Sequence, residues 1–153
     1  MERAPVASFK FKLQPLLNIK TQMEDTLKNE LAKAIRCLEE EKGFLKNFKE
    51  EQKKCMSTIS SESSNGVTVE RLRSYNAYIS FLKEKIQNQT KRVKSAQEIV
   101  DNYREKVIEA SKEKKMLETL KDKQYGEYLK EQEKSEQKRV DEVISYKESI
   151  KRS

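Results

Sequence analysis

The fold is decided by residues 72–117, which read LRSYNAYISFLKEKIQNQTKRVKSAQEIVDNYREKVIEASKEKKML. Seam positions recur in this stretch at alternating steps of three and four residues, so their mean spacing is about 3.5 residues. A stripe this narrow predicts a coiled coil, in which one partner helix lies along the seam. The seam consists of Leu72, Tyr75, Ile79, Leu82, Ile86, Gln89, Val93, Ala96, Val100, Tyr103, Val107, Ala110, Lys114 and Leu117.

The composition also favours helix. The chain has 153 residues, of which 39% are charged and 35% are hydrophobic. Its two prolines, Pro5 and Pro15, both lie near the N-terminus, so no proline interrupts the chain beyond them. A disordered chain of this polarity would have no reason to keep heptad spacing, and the sequence therefore predicts an all-α protein.

The partner helix is predicted within the same chain. An earlier apolar stripe comprises Leu16, Ile19, Met23, Leu27, Leu31, Ala34, Leu38, Leu45, Phe48, Gln52, Cys55 and Ile59. Residues 57–66 form a serine-rich cluster that ends in Asn-Gly, a turn signal, and Thr68 can cap a second helix. The prediction is one domain, a long antiparallel two-helix coiled-coil hairpin with helices at about 14–60 and 68–150 and a turn at 61–67. A parallel homodimer is the alternative.

The two predicted helices differ in length, which leaves a C-terminal overhang. With a turn near Ser64, the second helix extends about 30 residues beyond its partner, over residues 120–150. Two interpretations remain open: the overhang frays or meets the N-terminal lead-in at residues 9–13, or a partner protein covers it. Its apolar side chains are Leu120, Tyr125, Tyr128, Leu129, Val140, Val143, Ile144, Tyr146 and Ile150.

The sequence shows no sign of catalysis or of a bound cofactor. It contains no histidine, and its three glycines are isolated, so the usual general base and a glycine-rich phosphate loop are missing. Cys37 and Cys55 lie on one predicted helix, too far apart for a disulfide within the chain, and two thiols without histidine predict no zinc site. The net charge of +7 comes from interleaved charges, which favours a solvated helix surface over a nucleic-acid interface. No apolar run is long enough to span a membrane.

Both ends of the chain resemble one family. The entry FKFKLQPLLNIK at residues 9–20 is similar to the start of the flagellar export protein FliJ and its type III secretion relatives. The segments LETLK at 117–121 and EQKRVDE at 136–142, with Tyr128 between them, resemble the end of that family. The resemblance covers nearly the whole chain and agrees with the predicted hairpin.

The resemblance implies a non-catalytic stalk that inserts into a hexameric export ATPase, promotes its assembly and links it to the export gate and to export chaperones. The open end would bind the ATPase, and the turn end, which has surplus aromatic residues, would bind the export-gate membrane protein. The candidate ATPase-binding residues are Phe9, Phe11, Leu13, Leu117, Leu120, Tyr125, Tyr128, Gln132, Glu136, Gln137, Asp141 and Glu142. The candidate gate-binding residues are Phe44, Leu45, Phe48, Tyr75, Tyr78, Ile79 and Phe81.

Two other functions remain open. The chain could be a cytoplasmic adaptor or chaperone for secreted substrates, or a homodimeric structural coiled coil. We expect a cytoplasmic protein that is monomeric alone, binds no nucleic acid, and reaches the inner face of the membrane only through its partners.

Overall fold

The computed structural model describes residues 8–152 and contains two helices, α1 over Gln14–Asn65 and α2 over Val69–Arg152. No strand occurs in the described residues. The prediction of an all-α fold with two long helices packed against each other is confirmed. The lead-in at residues 9–13 has no regular helix and ends in a turn, where the Gln14 amide donates to the Phe11 carbonyl at 3.0 Å.

The connection between the helices is shorter than predicted. Helix α1 continues to Asn65, about five residues beyond the expected end, so only residues 66–68 connect the helices. The hydroxyls of Thr58 and Ser64 donate to carbonyls four residues back, at 2.9 and 3.1 Å, so these side chains satisfy themselves within the helix instead of breaking it. The residue after the helix, Gly66, has a φ of +86°, a conformation that suits glycine. As predicted, Thr68 caps α2, its hydroxyl accepting from the Arg71 amide at 3.3 Å.

The residues divide into two units, each built from both helices. The first unit, residues 25–108, contains most of the seam. Leu82 and Val100 are fully buried there, and burying each side chain contributes about 1.5–3 kcal/mol. Ala34 and Leu38 of α1 pack with Val100 of α2, and Glu41, farther along α1, contacts Gln89, which comes earlier in α2, so the two segments are antiparallel. Around this core lie Leu31, Ile35, Val93, Ala96 and Tyr103.

One polar seam residue fixes the register in this unit. Gln89 is buried, and its amide nitrogen donates to the Glu41 main-chain carbonyl at 2.9 Å and also to the Glu41 carboxylate. A buried amide must find partners, and Glu41 supplies them in this alignment of the helices. Gln89 therefore favours this register among those that the apolar seam would allow.

The second unit comprises the described residues 8–24 and 109–152. Its buried apolar side chains are Phe11, Leu17 and Ala110. Two ion pairs join its helical segments: Lys20 to Glu113 at 2.7 Å, and Lys114 to the buried Glu24 at 3.5 Å. The expectation that all residues belong to one domain stays a prediction.

The uncovered part of α2 is shorter than predicted. Leu120, Tyr128 and Gln132 are half-buried, whereas every residue from 133 to 152 is exposed. Helical rise alone predicts an overhang that begins at residue 120. In the structure the non-helical lead-in packs on α2 and covers part of residues 120–132, which was the first of the two interpretations of the overhang. We call residues 133–152 the tail.

Candidate functional site

The tail is a helix exposed on all sides. It carries apolar side chains in its final turns, including Val140, Val143 and Ile144, which are 44–51% exposed. Side chains three and four residues apart share one face of a helix, so these three form a short stripe. Apolar groups at such spacing normally face a partner. The tail is therefore the first candidate binding surface.

The tail also contains four of the predicted ATPase-binding residues: Glu136, Gln137, Asp141 and Glu142, all exposed. The Gln137 amide donates to the Asp141 carboxylate at 3.2 Å. This bond spans one helical turn and places both polar groups on the same face. These side chains are available for contact with another protein.

Three aromatic rings lie just before the tail and form the aromatic cluster, Phe9, Tyr125 and Tyr128. The Phe9 ring meets Tyr125 edge-on at 5.3 Å between centroids and Tyr128 at 5.6 Å. The two tyrosine rings stack at 6.4 Å with 22° between their planes. The structure thus brings together three predicted ATPase-binding residues, and their contact also holds the lead-in to α2.

The remaining predicted ATPase-binding residues are less accessible. Phe11 is 7% exposed, so its side chain anchors the lead-in and offers little surface to a partner. Leu117, Leu120 and Gln132 are half-buried, and Leu13 is 38% exposed. The predicted set therefore separates into residues that are at least partly packed before the tail and residues on the exposed tail.

The second candidate surface lies in the unit of residues 25–108. Tyr78 and Phe81 stack at 6.3 Å between ring centroids. The ammonium group of Lys85 lies over two rings, 5.4 Å from Phe81 and 6.0 Å from Phe48. We call Phe48, Tyr78, Phe81 and Lys85 the aromatic face. Tyr78 and Phe81 are 42% and 52% exposed, which leaves their rings open to a partner.

Not all predicted gate-binding residues join this face. Tyr75 donates its hydroxyl to Glu62 at 3.0 Å, near the connection between the helices. Leu45 and Ile79 are half-buried. Phe44 is 53% exposed and has no ring contact among the described residues. Of the predicted gate-binding residues, Phe48, Tyr78 and Phe81 therefore belong to the aromatic face, whereas Phe44, Leu45, Tyr75 and Ile79 lie outside it.

Sequence reasoning missed two charged members of this surface, Lys85 and Glu51. Lys85 follows Phe81 by four residues, a spacing that puts both on one helix face, so the pattern could have found it. Glu51 lies on the other helix and accepts a hydrogen bond from the Tyr78 hydroxyl at 3.3 Å. Partial burial, and secondarily the Glu51 charge, raise the pKa of Tyr78 above its ordinary 10.0.

Two further features bear on function. Across residues 8–152, no group of three or more histidine, cysteine, aspartate and glutamate side chains could hold a metal ion. In the same range, neither helix is long and apolar enough to cross a membrane.

Comparison with known proteins agrees with this arrangement. A family model described as "Flagellar FliJ protein" matches residues 9–152. Among solved structures, a YscO homolog from Chlamydia trachomatis superimposes with a TM-score of 0.68 at 22% identity, over 94% of this chain and 97% of that one. At this identity the likeness shows a shared fold. No curated protein sequence matches the chain.

The family match begins at the first ring of the aromatic cluster and continues to the last helical residue of the tail, so it includes both candidate surfaces. The resemblance seen at the two ends of the sequence is thereby confirmed. The chain belongs to the FliJ family and is a component of a type III protein export apparatus.

Proposed function

We propose that this chain is a non-catalytic stalk that inserts its tail into the central opening of a hexameric export ATPase. The observation that carries the proposal is the tail itself, twenty helical residues from 133 to 152 with every described side chain exposed. A lone helix with apolar groups such as Val143 and Ile144 is marginal in water, and a surrounding protein wall would cover those groups.

The geometry of a lone helix suits this role. An α-helix with its side chains is about 10–12 Å wide, narrow enough to enter a pore formed by a ring of subunits. One helix presents a different face to each subunit, so it favours different conformations in different subunits. Binding energy that differs between subunit states is what couples one site to another.

The aromatic cluster has a supporting part in this proposal. Contact between Phe9 and the rings of Tyr125 and Tyr128 fixes the lead-in beside the segment of α2 that precedes the tail. The tail then leaves a packed base, which reduces the conformational freedom that binding must remove. We expect loss of the cluster to weaken ATPase stimulation less than loss of the tail.

The aromatic face is the proposed contact with the export-gate membrane protein. Exposed rings with an adjacent cation are typical of residues that dominate protein interfaces. Contact with this gate would bring the protein to the inner face of the membrane. Replacing Phe81 with alanine should weaken binding to the gate protein without changing ATPase stimulation. Export chaperones are further proposed partners.

The decisive test compares the full chain with a truncation after Gln132. This position keeps the aromatic cluster and removes only the exposed tail, whereas a cut after Thr119 would also remove Tyr125 and Tyr128. Circular dichroism should show that the shortened chain remains helical. Stimulation of the purified hexameric ATPase should fall to the basal rate. Stimulation equal to that of the full chain would reject the stalk.

A milder variant separates the apolar stripe from the helix that carries it. Replacing Val143 and Ile144 with glutamine keeps good helix formers in place, so we expect the tail to stay helical and stimulation to decrease about tenfold. The control is Ile99→Gln, a comparably exposed residue outside the tail, at 52%. If the tail instead joins two copies of this chain, sedimentation equilibrium will show a dimer that the double variant dissociates.

A further inference from the structure

A second set of exposed apolar side chains lies outside the tail and the aromatic face. In the unit of residues 8–24 and 109–152, Ile19 is 53% exposed, Met23 is 47% exposed and Met116 is 72% exposed. Leu16 is 40% exposed, and Leu120 is half-buried. We call these five residues the lateral patch. Leu16, Ile19 and Met23 belong to the α1 stripe predicted to face α2, but the structure buries Leu17 and Glu24 instead. The packing of α1 on α2 therefore does not explain the exposed side chains.

The five residues lie on one side of the helix pair. Leu16 and Met23 immediately precede the buried Leu17 and Glu24 on α1, and Leu120 immediately precedes the half-buried Lys121 on α2. In an antiparallel pair, positions that precede the seam on both helices flank the same side of the interface. Ile19 lies three residues after Leu16 on α1, and Met116 lies four residues before Leu120 on α2. Each therefore continues the face of its helix by one turn.

The ion pairs of this unit set the level of the two faces. Lys20 meets Glu113 at 2.7 Å, and Glu24 meets Lys114 at 3.5 Å. This antiparallel register puts Ile19 at the level of Met116 and Leu16 at the level of Leu120. The patch therefore crosses from one helix to the other and forms a continuous apolar strip beside the seam.

Lysines border the strip on α2. A shallow groove there is lined by Lys112, Lys115, Met116, Thr119, Leu120 and Lys123, without a carboxylate. The three lysines are exposed, and none forms an ion pair within residues 8–152. The adjacent Glu113 and Glu118 are already paired, with Lys20 and Lys114. The border therefore carries three positive charges that have no ion-pair partner among the described residues.

We propose that the lateral patch binds an acidic amphipathic helix of a partner protein, which lies along α1 and α2 as a third helix. The apolar strip would receive the partner's apolar face, as in packing between helices of a bundle. Glutamate or aspartate flanking that face would meet Lys112, Lys115 and Lys123. This inference goes beyond the proposed stalk, since it concerns a different surface that shares only Leu120 with the candidate ATPase-binding residues.

Charge decides between this occupant and a second copy of the chain. A symmetric dimer that sets α2 of one copy against α2 of the other would bring the two lysine borders close together. Like charges placed together oppose association, whereas carboxylates opposite lysines favour it. The patch thus fits an acidic helix better than it fits itself.

The test measures binding of a synthetic probe without the ATPase, so its result is independent of the stalk proposal. The probe is a fluorescent three-heptad peptide with leucine at the a and d positions and glutamate at the flanking positions. A matched probe has lysine at those flanking positions. By fluorescence anisotropy, the full chain should bind the acidic probe about tenfold or more tightly than the basic one, with weaker binding at high salt.

Variants then locate the site. Replacing Lys112, Lys115 and Lys123 with glutamate should lower the affinity for the acidic probe about tenfold and raise the affinity for the basic probe. The control reverses Lys46, Lys49 and Lys53, which are exposed on another surface and change the net charge equally. Ile19→Gln with Met116→Gln should weaken both probes about tenfold, whereas Ile99→Gln should not.

Three outcomes would overturn the proposal. The first is equal weakening by the patch and control charge reversals, which would mean general attraction to a basic protein. The second is unchanged binding after replacement of Ile19 and Met116. The third is a dimer, detected by sedimentation equilibrium, that this double replacement dissociates, since the occupant would then be a second copy. Circular dichroism verifies that each variant keeps its helix content.

Discussion

Phe9 packs edge-on against Tyr125, with 5.3 Å between ring centroids and 62° between ring planes. Phe9 precedes α1 and Tyr125 lies deep in α2, so the contact joins the start of the described chain to the segment before the tail. The same ring reaches Tyr128 at 5.6 Å. A residue outside both helices thereby covers part of α2 shortly before the exposed tail.

Replacing Phe9 with alanine should release the lead-in. Each edge-on or tilted aromatic pair contributes about 0.5–1.5 kcal/mol beyond area burial, so we expect a loss of about 1–3 kcal/mol in the free energy of unfolding. Hydrogen exchange should increase at residues 9–13 and 121–132. Phe44→Ala is the control, because Phe44 is half exposed, and it should cost less than about 0.5 kcal/mol. Equal effects of the two replacements would contradict the assigned role.

The seam could be predicted from the sequence because it is periodic. Leu82 and Val100, both fully buried, occupy heptad positions of the predicted seam. The aromatic cluster could not be predicted in the same way. Phe9 lies in a non-helical segment, so no period relates it to Tyr125, and the meeting of these distant residues depends on the turn at the start of α1. The partner of Gln89 likewise depends on the exact register, which a pattern of apolar residues leaves free.

Gln89 offers a test of register specificity. Gln89→Ala removes a buried side chain that bonds to Glu41 and should cost about 1–3 kcal/mol in thermal unfolding. Gln89→Leu should retain or raise stability, because an apolar residue suits the seam, but should permit other alignments and dimers. Sedimentation equilibrium would detect the dimers. The control is Gln87→Leu at an exposed position, and a strictly monomeric Gln89→Leu protein would argue against register control.

The pair of Glu24 and Lys114 should be coupled. Glu24 is 5% exposed, and Lys114 also lies 3.9 Å from Glu118. Removing one partner of a buried ion pair lowers the free energy of unfolding by about 3–5 kcal/mol. Because Glu118 can still pair with Lys114, we expect Glu24→Gln to lower it by only about 1–2 kcal/mol. A double-mutant cycle with Lys114→Met in urea unfolding measures the coupling. Strict additivity of the two changes would show that the pair contributes nothing.

Tyr78 predicts a pH dependence on the alkaline side. Its pKa is raised above 10.0 by partial burial first and by Glu51 second, so the folded state favours the neutral phenol. The contribution of Tyr78 to the stability of the folded state is complete below pH 10 and is lost as the pH rises through the folded-state pKa. Ultraviolet titration, with Tyr78→Phe subtracted to isolate this residue, should give a lower pKa in Glu51→Gln. Glu50→Gln, at an exposed neighbouring position, should leave the titration unchanged.

The tail should be the least protected part of α2. Its amide hydrogen bonds are helical, but no described residue from 133 to 152 is buried, so only local helix formation opposes opening. Hydrogen exchange measured by mass spectrometry should be faster there than at residues 93–103, which surround the buried Val100. Addition of the hexameric ATPase should slow exchange in the tail, while Val143→Gln with Ile144→Gln should reduce that slowing. Fast exchange that the ATPase leaves unchanged would mean that the ring does not cover the tail, and the stalk proposal would then fail even if the ATPase were stimulated.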